Sequence, residues 1–80
     1  MRTVEIQYYA VLREQAGRSH ERVTSAAPTA ALLYEELRVR HGLSLAAAQL
    51  RVAIDGDFAD WNSPLADGAR VVFIPPVAGG

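Results

Sequence analysis

The sequence contains neither cysteine nor lysine. Without thiols it has no disulfide framework, no thiolate metal site and no cysteine nucleophile. Without lysine, one copy cannot be joined to a side-chain amine of another, so polymers of the protein on itself are excluded. All eight basic residues are arginine, dispersed among nine acids for a net charge of -1. A nucleic-acid partner needs a concentrated positive field and is not expected. No apolar run approaches the roughly 20 residues that cross a bilayer. No lipidation box is present, and the start lacks the charged-then-apolar pattern of a secretory signal. The membrane is therefore not implicated, and a cytoplasmic location is expected. Glycine is scattered too: Gly17, Gly42, Gly56 and Gly68 are each more than ten residues apart, so there is no phosphate-cradling loop.

Other sites are equally hard to assemble. His20 and His41 have no neighbouring triad or metal-pair pattern, and each reads as a solvated side chain. Asp55-Gly56-Asp57 with Asp60 lacks the third oxygen ligand before the glycine and the later glutamate of a calcium loop, so a hairpin turn explains it better. Trp61 reads as a packing or rim residue. No metal site is expected.

What remains is a globular pattern. Eighty residues, half of them apolar, make one domain, burying about 60–65% of the surface the unfolded chain exposes. Val4, Ile6 and Tyr8 alternate with Glu5 and Gln7, the period of a strand with one face on a core. Residues 10–17 mix apolar and charged side chains and stop at Gly17, which reads as a connection with room for a helical turn. A second strand runs from about Ser19 to Thr24 and pairs with the first. Thr29 is placed to cap a helix in which Ala30, Leu33 and Leu37 share one face. Arg38, Arg40 and His41 suit its carbonyl end, and Gly42 suits a left-handed cap. Leu43 to Gln49, with Ser44 near its start and three consecutive alanines, suits a short second helix. Leu50 to Ile54 and Phe58-Ala59 flank Asp55-Gly56, a strong two-residue hairpin signal. Asn62, Ser63, Pro64, Asp67 and Gly68 mark turns, and Val71 to Ile74 forms a last strand halted by Pro75-Pro76. One main helix on one face of a mixed sheet of four to five strands is an α+β arrangement, and the simplest topology with that content is a β-grasp. Residues 1–76 are read as the domain and 77–80 as a flexible tail.

Two features ask for more than a fold. Val71 to Ile74 is apolar at both parities, although only one helix is available to cover the sheet. With Val71 and Phe73 turned to the core, Val72 and Ile74 face outward beside Tyr9 as a candidate binding patch; a crossing loop covering that patch is the alternative. The second feature is the ending. Pro75-Pro76 is a stiff exit from the strand, and Val77-Ala78-Gly79-Gly80 tapers to two residues without a Cβ, able to enter a channel that any side chain would block.

These residues resemble the small subunit of molybdopterin synthase, the MoaD family, within the ubiquitin-like sulfur carriers. The resemblance runs nearly end to end: Tyr8-Tyr9-Ala10, Leu12-Arg13-Glu14, Gly17, the Thr29 helix start, Asp55-Gly56, Pro64-Leu65 with Asp67-Gly68, and above all Phe73-Ile74-Pro75-Pro76-Val77-Ala78-Gly79-Gly80. The double proline favours this branch over carriers of thiamine biosynthesis. The chain departs from the family at Ala69-Arg70, where another acid usually follows the Asp-Gly turn, and at Gln7, where the outward side of the first strand is often more apolar.

The resemblance implies that a MoeB-like adenylating enzyme uses ATP to activate the Gly80 carboxylate, that a sulfur donor protein converts it to a thiocarboxylate, and that the large subunit of molybdopterin synthase receives the tail. Gly80 would then be the chemical residue. Tyr9, Val72, Ile74, Pro75, Pro76, Val77, Ala78 and Gly79 would bind partners or position the end, and no cofactor would be held permanently. The competing readings are a carrier for thiamine or another pathway and a noncovalent β-grasp interaction module.

Overall fold

The computed structural model describes residues 1–76. Strand β1 (Arg2–Tyr8) leads into helix α1 (Ala10–Ala16) and strand β2 (His20–Ser25); helix α2 (Ala30–His41) is followed by a single 3-10 turn (Ala47–Gln49) and strands β3 (Arg51–Ile54), β4 (Asp57–Ala59) and β5 (Arg70–Ile74). The strands form one mixed sheet in the order β2-β1-β5-β3-β4. Only β1 and β5 run parallel; the β1–β2, β3–β4 and β3–β5 pairs are antiparallel. This is the β-grasp arrangement, with α2 as the main helix. No helix among the described residues is long and apolar enough to cross a membrane.

The alternation of β1 survives intact: Val4, Ile6 and Tyr8 are each 1% exposed. They meet Leu33, Tyr34 and Leu37 of α2 in a single core with Val52, Val71 and Phe73. The N-terminus of α2 is satisfied by three acceptors. Thr29 Oγ1 accepts from the Leu32 N–H at 3.3 Å, while the carbonyls of Ser63 and Trp61 accept from Ala30 and Ala31 at 3.1 and 2.9 Å. The loop after β4 thus fills the role of helix cap that water or side chains otherwise take. The same loop brings the Trp61 ring against Phe73, stacked with centroids 6.0 Å apart. It therefore closes the helix side of the sheet and leaves the opposite face open.

Two connections differ from the sequence-based expectation. Residues 10–16 form a seven-residue helix, more than the single helical turn expected of the connection, with Leu12 fully buried and Gly17 in the left-handed conformation as its end (φ 76°). A seven-residue helix has little intrinsic stability, so it exists because Leu12 docks on the core, which local pattern cannot register. Conversely, Leu43 to Gln49 is not a helix opened by Ser44. Ser44 is engaged elsewhere: its N–H donates to Gln15 Oε1 at 3.0 Å and its Oγ accepts from Gln15 Nε2 at 2.8 Å. Only the 3-10 turn of Ala47–Gln49 remains.

A third expectation is corrected at His41, which is not a solvated side chain. Its ring is 13% exposed and its Nε2 lies 2.8 Å from Glu21 Oε1. That same oxygen accepts from the Tyr8 hydroxyl at 2.8 Å, and Arg18 and Arg40 lie 3.8 and 3.9 Å from the other carboxylate oxygen. Tyr8 and His41 also meet edge to face at 5.8 Å. His20, by contrast, is exposed as expected. Burial and the Glu21 carboxylate push the Tyr8 hydroxyl up, so it stays a donor. For Glu21, burial acts to raise the pKa, but hydrogen bonds from His41 and Tyr8 and the neighbouring positive charges outweigh it and hold the carboxyl below its ordinary value near 4.5. A lowered acid stabilises the fold above its unfolded pKa and loses that contribution as pH falls through the folded one. Glu21→Gln should lower the stability measured by urea unfolding at pH 7 by about 1 kcal/mol or more. The gap from the parent should close as the pH is taken well below 4.5, where Glu21 is itself neutral.

Candidate functional site

The site is the open face of the sheet at the end where the chain leaves β5. Register determines what lies there. Ile6 pairs with Val71 and Tyr8 with Phe73 on the core side, while Gln7 pairs with Val72 on the open side. Val71 and Phe73 are fully buried, and Val72 and Ile74 are half-buried on the other face, the parity expected from sequence. Tyr9 follows the last pair of the ladder, Tyr8 with Phe73, and is 45% exposed. Its hydroxyl accepts from Gln7 Nε2 at 2.9 Å. Gln7 therefore tethers the aromatic ring beside it.

The second half of the patch comes from the β3–β4 hairpin. Asp55 and Gly56 both have positive φ, 53° and 92°, the geometry of the tight turn that the Asp-Gly pair predicts. This register sets Ala53 opposite Phe58 and Val72, and Arg51 opposite Ile74. Phe58 is 67% exposed, and the Arg51 guanidinium lies 5.2 Å from the centre of its ring. Phe58, Arg51, Ile74, Pro75 and Pro76 line a groove of about 500 Å³. Phe58 was not among the binding residues expected from sequence. The signal was available: a two-residue turn with Val52 inward forces Ala53 and Phe58 outward together.

Tyr9, Val72, Ile74, Pro75 and Pro76 are thus brought to one end of one face, and no loop among the described residues covers them. The four remaining expected site residues, Val77, Ala78, Gly79 and Gly80, lie outside the described residues. Ala69 and Arg70, the departure after the Asp-Gly turn, divide their roles. Ala69 is 3% exposed and belongs to the core, and Arg70 is exposed on the open face opposite Glu5.

The sequence matches the ThiS family over residues 6–80. The chain belongs to this family. Over 80 residues it is 30% identical to the molybdopterin synthase sulfur carrier subunit of Escherichia coli strain K12, covering 96% of this chain and 99% of that one. Among solved structures it is similar to a putative molybdopterin converting factor, subunit 1, from Pyrococcus furiosus, with a TM-score of 0.78, 25% identity and coverage of 96% and 100%. It is also similar in fold to a chain in the complex of subunits 1 and 2 of the molybdopterin-converting factor from Helicobacter pylori, with a TM-score of 0.67, 24% identity and coverage of 98% and 99%. The resemblance to the MoaD group drawn from the sequence motifs holds within the ThiS family.

The two faces of β5 in this ThiS-family chain make opposite demands on substitution. Phe73→Ala should cost about 3–5 kcal/mol of stability in denaturant unfolding, because it empties a site packed by Tyr34, Tyr8 and Trp61. Ile74→Ala should cost less than about 1.5 kcal/mol, since the side chain already lies half in water.

Proposed function

We propose that this protein is a sulfur carrier that donates sulfur to the dithiolene of molybdopterin in molybdenum cofactor biosynthesis, acting in the cytoplasm as the small subunit of molybdopterin synthase. The observation that carries this reading is that the family match runs through to Gly80, so the tapering tail is part of what relates this chain to its relatives. The similar Escherichia coli protein is named as the sulfur carrier subunit of molybdopterin synthase. The similar Helicobacter pylori chain was solved with its second subunit, which supports a large-subunit partner here.

In this reading residues 1–76 are a handle and 77–80 the working end. A carboxylate resists nucleophiles because its charge is delocalised. Joined to AMP as a mixed anhydride it carries a good leaving group, so hydrosulfide released by the donor can attack the carbonyl, break the bond to AMP and leave a thiocarboxylate on Gly80. ATP supplies the energy, a MoeB-like enzyme supplies the site, and a sulfur donor protein supplies the atom. The carrier itself needs no catalytic side chain. Gly79 keeps the last stretch narrow, and Pro75, Pro76, Val77 and Ala78 space the end from the domain. The open patch of Tyr9, Phe58, Val72 and Ile74 beside the exit would hold the domain against the large subunit while the tail is inserted.

The chemistry is tested by incubating the protein with the adenylating enzyme, ATP and a sulfur source and reading its intact mass. Exchange of one terminal oxygen for sulfur adds about 16 Da. Deletion of Gly80, or one residue added after it, should abolish that gain and leave the thermal midpoint nearly unchanged, whereas Gly79→Val should fold normally and load poorly. Normal loading of the Gly80 deletion refutes the mechanism. Docking is tested separately: Ile74→Asp should weaken binding of the large subunit severely without unfolding the domain, since a charge would be desolvated in the interface.

A further inference from the structure

The open face carries more arginine than acid, and one of its arginines lies beside the exit of β5. Strand register places three arginines on this face, Arg22, Arg51 and Arg70, with Glu5 as an acid among them. Arg22 is ion-paired with Glu5 at 2.9 Å. Arg70 lies directly opposite Glu5 across the β1–β5 ladder, and the Asp55 carboxylate accepts its backbone N–H at 2.9 Å. Arg22 is therefore paired, whereas neither Arg70 nor Arg51 has an ion pair among the described residues. The ion pairs among the described residues use Arg18, Arg22, Arg38 and Arg40.

Arg51 instead rests over Phe58, in the groove that Ile74 and Pro75-Pro76 also line. A guanidinium held against a ring keeps its N–H donors at the edge, where they match a carboxylate in bidentate fashion, and the contact with the ring reduces the rotamer freedom lost on binding. Taking such a charge into an interface without a counter-charge would cost several kcal/mol. We propose that Arg51 is the specificity-determining residue of the docking face, and that the protein partner seated beside the tail presents an apolar surface carrying one aspartate or glutamate carboxylate to it. This rests on the docking reading above and adds the chemistry the partner must have.

The test measures affinity of the proposed large subunit for the parent, Arg51→Leu, Arg51→Lys, Arg70→Leu and Ile74→Asp across a series of salt concentrations, with circular dichroism confirming each fold. Arg51→Leu should weaken binding by about tenfold at low salt and flatten the dependence of affinity on salt, because an oriented charge pair is lost. Arg51→Lys should fall between, keeping the charge without the planar fork, and Arg70→Leu should stay within about twofold of the parent, as for an exposed charge away from the exit of β5. If Arg51→Leu binds as well as the parent with the same salt dependence while Ile74→Asp fails to bind, the assignment of Arg51 is overturned and the docking face stands. If the parent itself does not bind the large subunit, the docking reading falls and this inference falls with it.

Discussion

The parallel pairing of β1 with β5 is the constraint on which the rest depends. Two strands far apart in the chain lie side by side at the centre of the sheet and point the same way, so the end of the first and the end of the last emerge together. The register is secured at its far end, where Asp67 Oδ1 accepts the Thr3 N–H at 2.7 Å and the Gly68 N–H donates to the Thr3 carbonyl, also at 2.7 Å. At the near end Tyr8 stands beside Phe73. Because side chains alternate along a strand, this one register turns Phe73 to the core and Ile74 to the open face, and places Tyr9 beside the point where the chain departs. A slip of one residue would bury Val72 and Ile74 and expose Phe73.

Around that point the two faces are held by different physics. Below the sheet, Phe73 is enclosed by Tyr34, Trp61 and Tyr8, and Tyr8 is tied through Glu21 to His41 at the end of α2. The root of the last strand is thus fixed by packing and by a shared carboxylate. Above it, side chains are half-exposed and the polar groups are local tethers: Gln7 on Tyr9 and Arg51 on Phe58. A rigid root beneath a reachable surface is what a domain needs when the residues beyond Pro76 are to be presented to another protein.

Much of this was legible in the sequence. The period-2 pattern of Val4, Ile6 and Tyr8, the Thr29 cap, Gly42 and the Asp55-Gly56 turn each report a local backbone requirement, and each is met. The parity of β5 was legible because Phe73 and Ile74 cannot both face one core. What escaped was tertiary. Helix α1 depends on the burial of Leu12, Ser44 was drawn from a helix start by Gln15, and His41 was drawn from solvent by Glu21, a residue twenty positions away. None of these partners lies within the window over which periodicity or capping signals act. Phe58 is a different case, since hairpin register alone carried it to the open face and the inference was available to anyone who counted from the turn.

A domain with an open apolar patch must also stay apart from its own copies, and this sets a limit on how apolar its surface can be. Exposed aromatic and aliphatic side chains gathered at one end of a sheet invite association with copies of the same chain, more so beside a short edge strand such as β4. The polar residues on this face act against that without filling it. Gln7 satisfies the Tyr9 hydroxyl, Arg51 overlies part of the Phe58 ring with a group that water solvates, and Arg70 adds charge of the same sign farther along β5. Two copies meeting open face to open face would bring arginines toward arginines, whereas a partner with an apolar surface and a carboxylate would meet no such repulsion. Gln7 and Arg70 therefore act in the same direction as Arg51: they discourage self-association while leaving Val72 and Ile74 accessible.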